Sequence, residues 1–112
     1  MQPVNLEDIN EAAKLLDGVI RKTPSIFAGW IEKKYGVDVT FKCENLQRAG
    51  SFKIRGAYNR IARLTQAQRS NGVVAASAGN HAQGVALAAQ ILGIKATIFM
   101  PVGAPLPKYQ AT

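Results

Sequence analysis

The sequence predicts an α/β fold in which parallel strands are flanked by helices. Three observations carry that expectation. Helix-like and strand-like segments alternate along most of the chain, an order that favours parallel strands joined by right-handed crossovers. Val73-Val74-Ala75-Ala76 is a short, uniformly apolar run, as expected of a strand covered on both faces. Two strand-to-helix turns, Gly50-Ser51-Phe52-Lys53 and Ser77-Ala78-Gly79-Asn80-His81, consist mainly of small and polar residues. Ligands of open α/β sheets bind beyond the carboxyl ends of the strands, where such turns lie.

In chain order, Asn5 and Asp8 have the spacing of an N-cap and a helix-favouring acid. From Leu6 to Ile20 apolar residues recur at helical spacing, which predicts a helix ending near Arg21-Lys22, before Thr23-Pro24 breaks it. Ile26, Phe27, Trp30 and Ile31 predict a second helix over 25–35, closed by Gly36, with Trp30 in the core. Val37 to Cys43 alternates like a strand, and 44–50 reads as a polar loop. A helix is expected from Ser51 to about Gln66, then a turn at Asn71-Gly72. After the strand Val73–Ala76, a helix from about Asn80 to Leu92 should stop at Gly93. Lys95 to Met100 is the last strand, and the tail from Val102 reads as a loop opening one more helix.

Composition bounds the function. The 112 residues match one domain, with 47% hydrophobic residues for a core. No apolar run reaches the length of a membrane span, and the first ten residues lack a basic segment followed by an apolar one. No membrane partner and no secretory signal are therefore expected, and a cytoplasmic location is the default. One Cys and one His are too few for a zinc site, so no metal is expected. Cys43 falls in a strand-like run and reads as a buried, inert thiol. The net charge of +7 invites a nucleic-acid reading, but the basic residues are scattered through separate segments, with no run of five. A solvated basic surface is the expectation, without nucleic acid as partner.

Lys53 falls in the first turn of its helix, just past Ser51 as N-cap. A cation is a poor choice there, because the helix dipole is positive at that end. Placement alone leaves two readings open. One is a surface lysine on an amphipathic helix; the other is an amine held neutral or as an imine, beside backbone N–H groups that suit an anionic aldehyde cofactor. At the second turn, Asn80 offers an amide to an aromatic hydroxyl or merely caps the helix. Ser77 and the nearby N–H groups could take a carboxylate. His81 is either a general base or a packing residue.

Ser51-Phe52-Lys53-Ile54-Arg55-Gly56-Ala57 resembles the pyridoxal-phosphate attachment motif of the threonine/serine dehydratase family, in the fold-type-II branch of such enzymes. Ser77-Ala78-Gly79-Asn80-His81-Ala82-Gln83-Gly84 resembles that family's second signature. Lys42-Cys43-Glu44-Asn45 and Met100-Pro101-x-x-Ala104-Pro105-x-x-Lys108 follow its pattern as well, so the likeness runs over essentially the whole chain. The resemblance implies that Lys53 bears the cofactor and that Asn80 bonds its ring hydroxyl. Phe52 would lie against its ring. Ser51, Ser77, Ala78, Gly79 and His81 would hold the substrate carboxylate. The implied activity is deamination of L-threonine, and with it L-serine, by β-elimination to 2-oxobutanoate or pyruvate and ammonia. It would serve threonine catabolism or isoleucine biosynthesis, in a homo-oligomer of the full-length chain.

Serine racemases of the family usually place a second serine where this chain has Ala78, which tilts the reading toward a dehydratase. A serine racemase or serine dehydratase relative and a non-catalytic basic α/β binding module remain as alternatives. In the family, the Gly-rich phosphate loop comes later in the chain, and after Gly93 the only glycine here is Gly103. The resemblance thus implies an N-terminal portion, inactive alone: residues 1–48 from the large cofactor domain and 49–112 from the start of the small domain.

Overall fold

A computed structural model describes residues 3–103, 110 and 112. Helix α1 spans Leu6–Leu16, and both bonds of the expected capping box form: Asp8 N–H donates to Asn5 Oδ1 at 3.0 Å and Asn5 N–H to Asp8 Oδ2 at 2.9 Å. The helix ends well before Arg21. Gly18 turns left-handed with φ of 72°, which carries Val19 and Ile20 out of the helix, and Ile20 packs on the main core instead.

The segment 25–35 is not one helix. Ser25–Phe27 is a strand, β1, and Gly29–Tyr35 is helix α2, closed by Gly36 at φ of 69°. Strand β2, Thr40–Lys42, pairs antiparallel with β1, Ile26 opposite Phe41. Ala28 N–H donates to Val39 O at 2.8 Å beyond the ladder. This pairing recruits Ile26 and Phe27, whose spacing also suits a helix; cross-strand hydrogen bonds decide between two locally acceptable conformations. Trp30 is 65% exposed, so its expected place in the core is corrected.

The supposed loop 44–50 consists of two short 3-10 turns, Glu44–Leu46 and Arg48–Gly50. Gln47 between them is buried. Its amide pairs with the Arg21 peptide in both directions: Arg21 N–H to Oε1 at 2.9 Å, and Nε2 to Arg21 O at 2.8 Å. A side chain here does the work of a strand neighbour, satisfying two backbone groups. Cys43 is half-buried rather than buried.

Helix α3 runs Lys53–Ala62, shorter than expected, because Thr65 caps a separate helix α4, Gln66–Asn71, through a capping box with Gln68. Strand β3, Val73–Ala76, helix α5, Asn80–Leu92, and strand β4, Ala96–Phe99, follow. The two strands pair in parallel, Val73 opposite Ala96 through Ala76 opposite Phe99. Ile54, Ala57 and Ile61 of α3 pack with Val85 and Ala88 of α5 in one core, against Val73, Ala75 and Ile98. The opposite side of β3 is open: Val74 and Ala76 are exposed, so the expected double-faced cover is corrected to cover on one face. The helix expected in the tail, and the motif positions Ala104, Pro105 and Lys108, lie outside the described residues apart from Gln110 and Thr112.

Candidate functional site

Two left-handed residues in succession, Ala49 at φ of 58° and Gly50 at φ of 65°, swing the chain into the extended Ser51. Alanine in that conformation costs about 1 kcal/mol. Ala49→Gly is expected to raise stability by about 0.5 kcal/mol, net of glycine's greater chain entropy; urea unfolding of the full-length protein checks it. Ser51 is buried, and its Oγ accepts the Lys53 N–H at 3.5 Å. It acts as the cap from two residues back, while Phe52 occupies the cap position itself with a helical backbone.

Lys53 opens α3, half-exposed. Its Nζ stands 4.8 Å from the centre of the Phe52 ring and makes no ion pair among the described residues. Phe52 is 55% exposed. A groove of about 700 Å³ lies along α3 and β3, with Phe52, Lys53, Arg55, His81, Val73 and Val85 among its walls. Arg60 also borders it, so Lys53 and Arg60 add cationic groups to a trough of mixed apolar and polar lining, an arrangement that favours anions.

The second turn adjoins the first through the helices. Ser77 N–H continues the sheet by donating to Phe99 O at 3.0 Å, and Ser77 Oγ accepts the Gly79 N–H at 3.2 Å. Ala78 is half-buried in the bend. Asn80 and His81 begin α5, both exposed, with no side-chain hydrogen bond among the described residues. Their N–H groups and that of Ala82 have no carbonyl four residues earlier within the helix and are free for an acceptor. One turn on, Gly84 packs under Lys53. A Cβ on Gly84 would stand 3.0 Å from Lys53 C and Cβ and 3.1 Å from Lys53 O.

Of the residues singled out in the sequence, Phe52, Lys53 and His81 share the groove. Ser51 is buried beneath the first turn, and Ser77, Ala78, Gly79 and Asn80 form the adjoining turn rather than the groove wall. Two contributors carried no sequence signal as partners. Gly84 is one of them. The other is Glu44, which accepts from Arg55 Nε at 2.8 Å and Nη2 at 2.7 Å, and from Thr23 Oγ1 at 2.5 Å. Lys42 Nζ reaches Thr23 O at 2.6 Å. The bonded Arg55 guanidinium lowers the Glu44 carboxyl to about 2, against the opposing effect of burial, and Thr23 adds to the lowering. Glu44 in turn raises Arg55.

Comparison with known proteins shows the family. The sequence pattern of the pyridoxal-phosphate dependent enzymes matches residues 16–112. The chain belongs to that family. Among its relatives, an L-threonine ammonia-lyase of Thermotoga maritima is 56% identical over 97% of this chain and 27% of its own length. An L-threo-3-hydroxyaspartate ammonia-lyase of Pseudomonas is 50% identical over 100% of this chain and 35% of its own. The solved structure of maize serine racemase superposes with a TM-score of 0.91 at 42% identity, over 98% of this chain and 33% of that one. The chain thus has the fold of the type-II pyridoxal-phosphate enzymes and spans about a third of the length of the curated relatives it matches. No helix among the described residues is long and apolar enough to cross a membrane.

The residues present suit the cofactor. Among the described residues, Lys53 has no ion pair on its groove wall, Asn80 has no side-chain hydrogen bond one helical turn from the glycine under Lys53, and the first N–H groups of α5 have no acceptor.

Proposed function

We propose that the full-length protein deaminates L-threonine, and L-serine with it, by β-elimination, releasing 2-oxobutanoate or pyruvate and ammonia. The observation that carries the reading is Lys53: an amine without an ion pair among the described residues, in the first helical turn, supported by Gly84 of the helix that Asn80 and His81 begin. When bound, pyridoxal phosphate supplies an electron sink for the negative charge at the substrate Cα. Lys53 holds the cofactor and, once its amine is free, takes the Cα proton, for which its fixed place gives a high effective molarity. The Asn80 amide donates to the cofactor's ring hydroxyl oxygen, and Phe52 offers its exposed ring as a wall. Ser51, Ser77 and the N–H groups over Ala78, Gly79 and His81 orient the substrate carboxylate.

In this reading 1–48 belong to a larger cofactor domain and 49–112 begin a smaller one. The protein is cytoplasmic and homo-oligomeric. Nucleic acid is not a partner in this reading: the basic residues are scattered through separate segments, and Arg21, Arg55, Arg63 and Arg69 are engaged with Leu46 O, Glu44, Glu11 and the carbonyls of Ala62 and Leu64. The similarity to a serine racemase supports a second reading, but Ala78 has no hydroxyl to serve as a base from the opposite ring face.

Borohydride reduction of the full-length protein with pyridoxal phosphate, followed by peptide mapping, should place the label on Lys53. A label on another lysine would overturn the assignment. Incubation with L-threonine, L-serine and L-threo-3-hydroxyaspartate should yield most oxo acid from threonine. D-serine formed from L-serine without oxo acid would favour the racemase.

A further inference from the structure

Resting on the assignment of Lys53 as the cofactor lysine, we propose that Gly84 is a positioning residue for it. The missing side chain on α5 sets how closely the first turn of α3 approaches, and so where the Lys53 amine stands. Glycine inside a helix costs about 1 kcal/mol relative to alanine. Helix α5 otherwise meets its need for small residues with alanine: Ala82, Ala88 and Ala89 are all buried and accommodate a Cβ. At Gly84 a Cβ would come to 3.0 Å from Lys53 C and Cβ and 3.1 Å from its O. Two of those atoms are backbone and the third is fixed to it, so no flexible side-chain tip can swing aside.

The turn above has little freedom to yield by rotating. Ile54, next to Lys53, is fully buried, and Arg55 is held by two hydrogen bonds to Glu44. A methyl group at position 84 is therefore relieved by lifting the first turn of α3 away from α5. Asn80 lies four residues before Gly84, on the same helix face. The contact thus also sets Lys53 relative to Asn80, the pair that would hold neighbouring groups of one cofactor, its aldehyde carbon and its ring hydroxyl.

The test uses the full-length protein, kept cold. In its cofactor-free form, competitive acylation with acetic anhydride, read by peptide mass spectrometry, reports the reactivity of Lys53 without reference to turnover. Gly84→Ala is expected to change that reactivity and, with cofactor restored, to lower kcat about 5-fold, because contacts of 3.0–3.1 Å require the turn to give by a fraction of the roughly 1 Å that costs about 10²-fold. Ala88→Gly, one turn further along α5 and away from the groove, should lower the thermal midpoint but keep both readouts. A folded Gly84→Ala protein with wild-type acylation and turnover would overturn the proposal. Should Gly84→Ala not fold, the double variant Lys53→Gly with Gly84→Ala, which removes one clashing atom and loosens the turn, is expected to fold; failure of that rescue overturns it too. Borohydride labelling of a different lysine defeats the assignment of Lys53 itself, whereas labelling at Lys53 with an unaffected Gly84→Ala defeats only this inference.

Discussion

Lys53→Ala in the full-length protein is expected to lower the deamination of L-threonine by about 10³-fold or more, within the range for losing a positioned proton-transfer group. The fold should be nearly indifferent. Lys53 makes no ion pair among the described residues, and its charge lies at the positive end of a helix dipole, so alanine there changes stability by less than about 0.5 kcal/mol. That contrast separates a chemical role from a structural one. Steady-state oxo-acid production and a thermal melt on the same preparation measure both, and adding methylamine tests the mechanism further. A small amine that enters the vacated space should restore part of the rate, well short of wild type, because a tethered amine acts at an effective molarity that free solute does not reach. Wild-type turnover by Lys53→Ala would sink the assignment of Lys53. Equal losses of activity and stability would make Lys53 a packing residue.

How much of this was legible in the sequence depends on the range of the interaction. Val73–Ala76 and Asn80–Leu92 fall where the apolar run and the flanking Gly72 and Gly93 place them, because strand propensity and helix stops act within a few residues. The Asn5 cap is local in the same way. Residues 25–35 were not legible. Ile26, Phe27, Trp30 and Ile31 fit a helical period, and only pairing with 40–42 makes the first half a strand. Trp30 follows: a hydrophobic pattern says which residues could share a face, not whether anything covers it. The site divides along the same line. Lys53 and Asn80 could be placed at helix starts from the sequence, with the choice between surface and catalytic roles left open. Gly84 under Lys53 and Glu44 on Arg55 depend on how separate elements meet, and no periodicity encodes that.

The Glu44–Arg55 pair should give the full-length protein an acid-sensitive limb that Glu44→Gln removes. Glu44 is an acid whose folded-state value is depressed, from an ordinary 4.5 to about 2. Its contribution is fully present above about pH 4.5 and is lost as pH falls toward about 2, while Arg55 stays charged throughout. At about 1.4 kcal/mol per pH unit of displacement the pair would contribute about 3 kcal/mol. Solvent reaches 32% of the Arg55 side chain and 17% of Glu44, which screens this to about 2 kcal/mol. Urea unfolding from pH 7 to pH 2 measures it: the wild type should lose about 2 kcal/mol more than Glu44→Gln across that window. Identical slopes would mean the carboxylate titrates as it does in the unfolded chain. Arg55→Met should be the more damaging change at pH 7, because it strands a mostly buried carboxylate with Thr23 as its remaining hydrogen-bond donor. The pair joins residues 11 apart, one just before the turn that delivers Lys53 and one just after it. Acid should therefore loosen the lysine's own helical turn before it unfolds the α3–α5 core, so the exchange protection factors of the Lys53 and Arg55 amides, taken against the intrinsic rate at each pH, should fall ahead of that of Ala88.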